Sequence, residues 1–366
     1  MNIHCKKEHL KKYTALAEKV TGKNATLPIL QSVLLAAKDN VLQIRATNLD
    51  VGVEFSIPAR VDAPGRVAVS GSVLSGTLAH LSEEGDVTLR VENNNLAVQT
   101  KEKNKNIVIK SYPSDDFPTL PKIQSDTGFV VSAQKFVSGI KSVLFSASVS
   151  DIKPEISSVY IYPDGEELVF VATDSFRLAE KRITQKNIAD FPGVIIPFKN
   201  LNEIIRIFEN EGDVAAMFNK NQLSLYTDEV YFTTRIIDGI FPDYKQIIPK
   251  EYTTEVVMLK QDLVDVFKLT NIFSDKFNRI NFQIHPEKKH MAISSRNENG
   301  EYKTDLEGTL TGEHLDISFN YRYILDSFQS ISSDSVSLQF AGSQKPVTIK
   351  GVGDNSFFAL IGPIHA

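Results

Sequence analysis

The segment EEGDVTLRVENNNLAVQT, Glu83 to Thr100, returns further along the chain as NEGDVAAMFNKNQLSLYT, Asn210 to Thr227. Gly85, Asp86 and Val87 recur as Gly212, Asp213 and Val214, a step of 127 residues, and Leu96 recurs as Leu223 at the same step. A weaker third copy, SSDSVSLQF, places Val336 122 residues beyond Val214. A short helical pattern precedes each copy: VLSGTLAHL, FKNLNEIIRIF and YRYILDSFQSI. Self-similarity at a near-constant step restricts the chain to an array of like units.

Other landmarks keep this step. LQIRATNLDVGVEFSI, from Leu42, matches LVFVATDSFRLAEKRI, from Leu168, with Thr47 and Thr173 126 residues apart. MAISSRNENGEYKTDLEGTL, from Met291, stands in the same place in the third copy. The first two copies close on DDFPTLP and GIFPDYKQIIP, which set Phe117 and Phe241 124 residues apart. Each unit opens with a strand and an amphipathic helix: HLKKYTALAEKV, QKFVSGIKSVLF and QDLVDVFKLTNIF. The 366 residues therefore divide into three domains of ordinary size, 1–122, 123–249 and 250–366. Strands alternate apolar and polar residues, as in Val98-Gln99-Thr100 and Leu223-Ser224-Leu225-Tyr226, and turn residues such as Asn93-Asn94-Asn95, Pro163-Asp164-Gly165 and Asn299-Gly300 separate them. The expected fold class is α+β: three repeated domains, each with two helices packed on antiparallel sheets of about eight strands in all.

Hydrophobic residues make up 42% and charged residues 23% of the chain, the balance of a soluble globular protein. Charge fills the N-terminal MNIHCKKEHLKKY where a secretion signal needs apolar residues, and no stretch reaches the eighteen or so apolar residues of a membrane span. A cytoplasmic location without a membrane partner is expected. Cys5, the single cysteine, excludes disulfides within the chain and a cysteine-based zinc site, and is expected as a small apolar residue of the first strand.

Catalytic constellations are missing from the pattern. The seven histidines are scattered, and only His285 and His290 come close, flanking Pro-Glu-Lys-Lys in an expected hairpin turn. That pair lacks the further ligands a metal centre needs, so neither metal nor cofactor is expected. Gly22-Lys23 has no upstream glycine of a phosphate loop, and no G-x-S-x-G occurs. Asp50 and Asp174 fall in equivalent turns, so repetition accounts for them structurally.

The net charge of -5 argues against free binding to nucleic acid. The basic residues, however, crowd the helices. Lys6, Lys7, Lys11, Lys12, Lys19 and Lys23 gather at the first, Lys135 and Lys141 at the third, Lys199 and Arg206 on the fourth, and Lys260, Lys268, Lys276 and Arg279 on or after the fifth. Acidic residues such as Asp62, Glu83, Glu84, Asp115, Asp116, Glu166, Glu167, Glu298 and Glu301 favour strands and turns. On one helix such lysines are ordinarily a solvated face. Recurring in successive units, they furnish a basic surface for a phosphate backbone, with no element built to read base edges.

Motifs in order along the whole chain carry a resemblance: TLPIL (Thr26 to Leu30), ATNLD (Ala46 to Asp50), ATDSFRLA (Ala172 to Ala179), FPDY (Phe241 to Tyr244), SFNYRYILD (Ser318 to Asp326) and FFALIGPI (Phe357 to Ile364). The chain resembles the bacterial DNA polymerase III beta subunit family, the replicative sliding clamps. The resemblance implies a non-catalytic homodimer of clamp-type domains, joined head to tail as a ring around double-stranded DNA. It also implies a peptide-binding pocket used by the replicative polymerase, the clamp loader and repair proteins.

Carried over by position, that pocket comprises Ile156, Thr173, Ser175, Phe176, Arg177, Leu178, Pro242, Ile247, Pro346, Val347, Leu360, Pro363 and Ile364, with Arg177 orienting the peptide. DNA-facing positions are Lys23, Asn24, Lys141, Lys153, Lys199, Arg206, Lys276 and Arg279. The dimer interface would set Lys103, Lys105, Ile107 and Ile109 against Ile272, Phe273, Glu298 and Glu301. Three departures from the family pattern bear on partner preference and DNA contact: Asn24 stands at a basic position, Gly362 replaces a larger apolar residue, and His365-Ala366 form a slight C-terminus. The competing readings are a repeat-built scaffold that binds proteins but never DNA, and an enzyme whose site is dispersed beyond sequence recognition.

Overall fold

The computed structural model describes all residues except 23–26, 82–84, 101–105, 124–127, 189 and 365–366. Six α-helices occur among them: α1 Lys7–Val20, α2 Gly71–His80, α3 Ala133–Leu144, α4 Phe198–Phe208, α5 Lys260–Phe273 and α6 Tyr321–Ser327. The position of the repeated Gly-Asp-Val motif, Asp-Ser-Val in the third copy, has a physical task at three of them. The carbonyl of Gly85 accepts the first N–H of α1 at 3.0 Å, that of Gly212 the first of α3 at 2.8 Å, and that of Asp334 the first of α5 at 2.8 Å. The opening helix of each repeat is thus capped by the backbone of its own later hairpin, which satisfies a donor left free by helix geometry. The N-cap positions of α1 and α5, Lys6 and Leu259, need no capping side chain.

Four antiparallel sheets form among the described residues, with five, nine, nine and four strands. Their hairpins turn where left-handed backbone is tolerated: Asp39-Asn40 and Asn93-Asn94 have φ of 51°, 59°, 48° and 61°. By contact density the chain separates into two compact units, so the boundary runs through the second repeat.

One unit holds Met1–Gln134, Ala189–Phe191 and Lys199–Ile236. Its five-stranded sheet runs Arg60–Ala63, Asn2–Lys6, Asp86–Glu92, Asn95–Thr100, Asn106–Ile109. Cys5 is buried in this sheet, and burial together with nearby Asp86 pushes its thiol up to about 12, so it stays protonated. In the first nine-stranded sheet, Val51–Pro58 of repeat one pairs with Val230–Arg235 of repeat two, Gly52 opposite Thr233. Phe55, Phe208 and Phe232 lie fully buried in this unit.

The other unit holds Lys135–Ile188, Pro192–Phe198 and Ile237–Ala366. In its nine-stranded sheet, Arg177–Thr184 of repeat two pairs with Phe357–Ile361 of repeat three, Leu178 opposite Leu360. The four-stranded sheet runs Gly300–Leu306, His290–Asn297, Arg279–His285, Leu315–Asn320. α3 sits tightly on its sheet: a Cβ at Gly139 would come within 2.5 Å of the Phe170 ring, which Phe136 meets edge-on at 5.6 Å. Each buried phenylalanine of this kind contributes roughly 1.5–3 kcal/mol.

Candidate functional site

Thr173 ends the strand Glu167–Thr173 and starts the sharpest turn of the candidate pocket. Its Oγ1 donates to the Arg177 carbonyl at 2.7 Å and accepts the Ser175 N–H at 3.2 Å. Asp174 Oδ1 accepts the N–H groups of Phe176 and Arg177, both at 2.9 Å. These four bonds hold Ser175 at φ 77° and push Phe176 outward, 68% exposed. Local bonds thus hold a non-glycine residue in left-handed backbone beside an exposed aromatic.

The unit that carries repeat one has the same device. Thr47 Oγ1 donates to Val51 O and accepts the Leu49 N–H, Asn48 Oδ1 accepts from Asp50 and Val51, and Leu49 has φ 78°. The counterpart of Asp174 is therefore Asn48, and Asp50 corresponds to Phe176. The turns are equivalent, as expected, but the two aspartates occupy different positions within them.

Arg177, expected to orient a peptide, is held by contacts within the protein. Its Nε donates to Asp174 Oδ2 at 3.0 Å and its Nη1 to Asp326 Oδ2 at 2.6 Å. The guanidinium carbon lies 4.4 Å from the Tyr323 ring centre and 5.6 Å from that of Phe145, and the side chain is 12% exposed. A planar cation held by two carboxylates and stacked on aromatic faces ties the turn to α6. Asp326, Tyr323 and Phe145 were not among the expected pocket residues, because they lie 149, 146 and 32 residues from Arg177 and nothing local relates them to it.

The floor beneath the turn is apolar. Leu178 and Leu360 belong to one buried cluster with Val169, Val171, Ile195, Phe241 and Tyr244. Val347 is buried on the adjoining strand, opposite Ile361. The FPDY motif explains itself here. Phe241 stacks on Tyr160 at 5.0 Å, Pro242 is exposed, and buried Tyr244 donates its hydroxyl to Glu180 while meeting the Tyr162 hydroxyl at 2.8 Å. Burial and the Glu180 contact hold the Tyr244 hydroxyl above its ordinary range. Glu180 is itself buried, and its other oxygen takes the Arg182 Nε at 2.7 Å.

Around this floor Ser175 and Ile247 are exposed, while Ile156, Pro346, Pro363 and Ile364 are half-buried. Gly362 donates its N–H to the Phe176 carbonyl at 2.8 Å, and a Cβ there would lie 3.1 Å from the same oxygen. Close passage of two backbones thus accounts for the glycine.

Among the expected DNA-facing residues, Lys23 and Asn24 lie outside the described residues. In the unit containing α4, Lys199 and Arg206 are exposed, and Arg206 is bonded to Glu203. Lys11, Lys12 and Lys19 are exposed on α1, but Lys7 is buried and donates its Nζ to the Leu81 carbonyl at 2.5 Å. Lys7 is thus a structural tie and leaves the basic face, while Lys6 ends the first strand instead of joining the helix. In the other unit Lys135, Lys141, Lys153 and Lys276 are exposed, and Arg279 is half-buried beside Asp275 at 3.9 Å. Lys260 is turned aside to the Ile331 carbonyl at 2.6 Å.

Two strand edges carry the expected interface positions. Asn106–Ile109 is paired on one side only among the described residues, with Asn95–Thr100. Ile107 is half-buried on it, Ile109 turns inward at 4% exposure, and Val108 faces out at 57%. Strand alternation makes Val108 the presented apolar residue in place of Ile109. Lys103 and Lys105 lie outside the described residues. Gly300–Leu306 likewise pairs on one side, with His290–Asn297. Beside it Ile272 is 60% exposed, Phe273 stacks on Tyr302 at 6.4 Å, and Glu298 and Glu301 are exposed.

His285 and His290 do face each other across a hairpin, their ring centres 6.1 Å apart, with His314 4.2 Å from His285. Among the described residues no three ligating groups are placed to hold a metal ion.

Family models of the DNA polymerase III beta subunit match the chain throughout: the N-terminal domain at residues 1–121, the central domain at 130–243 and the C-terminal domain at 245–365. A beta sliding clamp of Synechococcus elongatus is 26% identical over 376 residues, covering 100% of this chain and 99% of its own. That of Staphylococcus aureus is 26% identical over 360 residues, covering 95% and 94%. The crystal structure of the DNA polymerase III subunit beta from Pseudomonas aeruginosa superposes with a TM-score of 0.94 at 26% identity, over 100% of both chains. A sliding clamp of the same organism, solved bound to griselimycin, gives 0.94 at 25% over 100% of both.

Proposed function

Since the chain belongs to the DNA polymerase III beta subunit family, we propose that it acts as a sliding clamp. Two copies close head to tail around duplex DNA and tether the polymerase and other replication and repair proteins by short peptides. The clamp catalyses no reaction of its own.

One observation carries this reading. Within the chain, repeat one gives five strands and repeat two four to one nine-stranded sheet, and repeats two and three give four and five to the other. The terminal sheets have five and four strands. Joining these edge to edge between two copies makes nine again, and doing so twice leaves neither edge open. Ile107 and Val108 would then meet Ile272, Phe273, Glu298 and Glu301, with the three repeats bounded near residues 122 and 249.

DNA contact falls to exposed helix and loop cations, Lys141, Lys153, Lys199, Arg206 and Lys276, through phosphates alone, which permits sliding. The peptide is held by burial against Leu178, Leu360, Val347 and the Phe176 side chain, with Pro242, Ile247, Pro346, Pro363 and Ile364 around it. Once assembled on closed circular DNA, the protein should stay bound and should leave when the circle is cut. Equal retention on both forms would refute encirclement and favour the protein-only scaffold.

A further inference from the structure

The junction of repeats one and two is built on the plan of the junction that carries the pocket, and differs from it at the floor. Its turn from Thr47 to Val51 repeats the turn from Thr173 to Arg177, and the hairpin step that sets Leu178 opposite Thr173 sets Gly52 opposite Thr47. Across the junction Gly52 faces Thr233, as Leu178 faces Leu360. The walls recur as well. Pro28 stands 126 residues before Pro154, which puts Leu30 in the place of Ile156, and Phe117-Pro118 stand 124 residues before Phe241-Pro242. Leu30 and the turn come together at Gly22, where a Cβ would lie 3.2 Å from Leu30 Cβ and 3.6 Å from Asn48 Cβ.

Where Leu178 supplies an apolar floor, Gly52 leaves a seat one side chain deep. Leu120 fills it: a Cβ on Gly52 would meet Leu120 Cδ2 at 2.6 Å and Thr233 Cγ2 at 3.3 Å, and Leu120 is only 9% exposed. The segment that carries this leucine is tied down on both sides. Phe117 packs with Leu34 and Ala68, the Tyr231 hydroxyl donates to the Pro121 carbonyl at 2.7 Å, and Lys122 Nζ donates to buried Glu54 at 3.4 Å. The corresponding stretch at the other junction winds into the short 3-10 helix Tyr244–Ile247 and leaves Ile247 54% exposed. Beside the filled seat, Leu27 and Leu49 are 46% and 49% exposed, an apolar rim around a leucine lodged between strands of two repeats.

We propose that this junction is a second apolar peptide site, held closed in cis by Leu120, and that a Leu/Phe peptide enters it only when that leucine leaves. The linker leucine is the resident ligand. A short segment tied at both ends presents its side chain at an effective concentration of about millimolar or above, so a free peptide at micromolar concentration does not compete with it. Each chain then offers one open site although its repeats build two. The proposal rests on the pocket reading, because the open junction defines the kind of peptide that the closed one takes.

The test uses the full chain and an apolar Leu/Phe pentapeptide carrying a photo-crosslinking group, with calorimetric titration for stoichiometry and mass spectrometry for the position of the crosslink. The wild type should bind one peptide per chain and crosslink only at the junction of repeats two and three. Leu120→Ala, which empties the seat, should bind two, the second crosslinked near Leu49 and held at least about a hundredfold more tightly than a second peptide on the wild type. Leu120→Val fills the seat in part and should fall between them; it becomes the deciding variant if Leu120→Ala shows no cooperative melting. Two peptides on the wild type with both junctions crosslinked, a single peptide on the deciding variant, or a second peptide crosslinked away from the first junction each overturns the proposal. If the wild type binds none, the pocket reading fails; the variants then decide the closed site by gaining one peptide at the first junction or none.

Discussion

Asp174 Oδ1 holds two backbone N–H groups while Oδ2 takes the Arg177 guanidinium, so one carboxylate ties the strained turn to the arginine beneath it. Asp326 meets the same guanidinium from α6. Removing the arginine leaves two carboxylates close together without their cation, in a place that is 12% exposed at Arg177 and 15% at Asp174. Arg177→Ala is therefore expected to destabilise the protein by about 2–4 kcal/mol and to weaken peptide binding through displacement of Phe176. Arg177→Lys should recover only part of either, because an ammonium cannot serve both carboxylates in one plane or stack on Tyr323. Thermal unfolding and peptide titration of both variants check this; a lysine variant that matches the wild type in both would show that charge alone suffices. Phe176 was legible in the sequence as an aromatic beside a turn, hard to explain by packing. The contacts that hold Arg177 were not, since Asp326 and the Tyr323 ring come from a distant part of the chain.

At the level of elements, the repeats were read from short apolar patterns, and α4 spans the same eleven residues as its motif FKNLNEIIRIF. Periodicity located the helices because each buries one stripe, yet it misjudged Lys7: a lysine in a helix's first turn can point at a neighbouring carbonyl as readily as at water. It also could not say which side of Asn106–Ile109 faces out, because a shift of one residue exchanges the faces. The structure turns the repeat into a register. Gly52 faces Thr233 and Leu178 faces Leu360 at the internal junctions. The same hairpin step pairs Thr47 with Gly52, Thr173 with Leu178 and Arg296 with Glu301, while Leu96, Leu223 and Val347 pair with Ile109, Thr234 and Ile361. Glu301 of one copy is therefore expected opposite Val108 of the other, and Tyr302 opposite Ile107. Glu301→Cys combined with Val108→Cys should form intermolecular disulfides under mild oxidation, with buried Cys5 silent, whereas Glu301→Cys with Ile109→Cys should form them poorly. The reverse preference would show a register shifted by one residue.

For the whole molecule the governing question is how a chain of net charge -5 holds a polyanion, since two copies together carry -10. Global repulsion falls away beyond about 10 Å at 0.1 M salt, so the charges nearest the phosphates decide the outcome. Lys141 on α3 and Lys199 on α4 are exposed members of helices that the sequence already marked as basic. Composition alone pointed the wrong way here, and only the placement of charge on successive helices answered it. Reversing both, as Lys141→Glu with Lys199→Glu, leaves the edge strands and the peptide floor untouched. The variant should keep its two-chain mass in solution and its peptide affinity, yet lose most of its retention on closed circles at 0.1 M salt. Its remaining binding should also fall less steeply as salt rises, because fewer counterions are released per clamp. A variant retained as well as the wild type, with the same salt dependence, would mean that the ring holds DNA by topology alone, with these helices as bystanders.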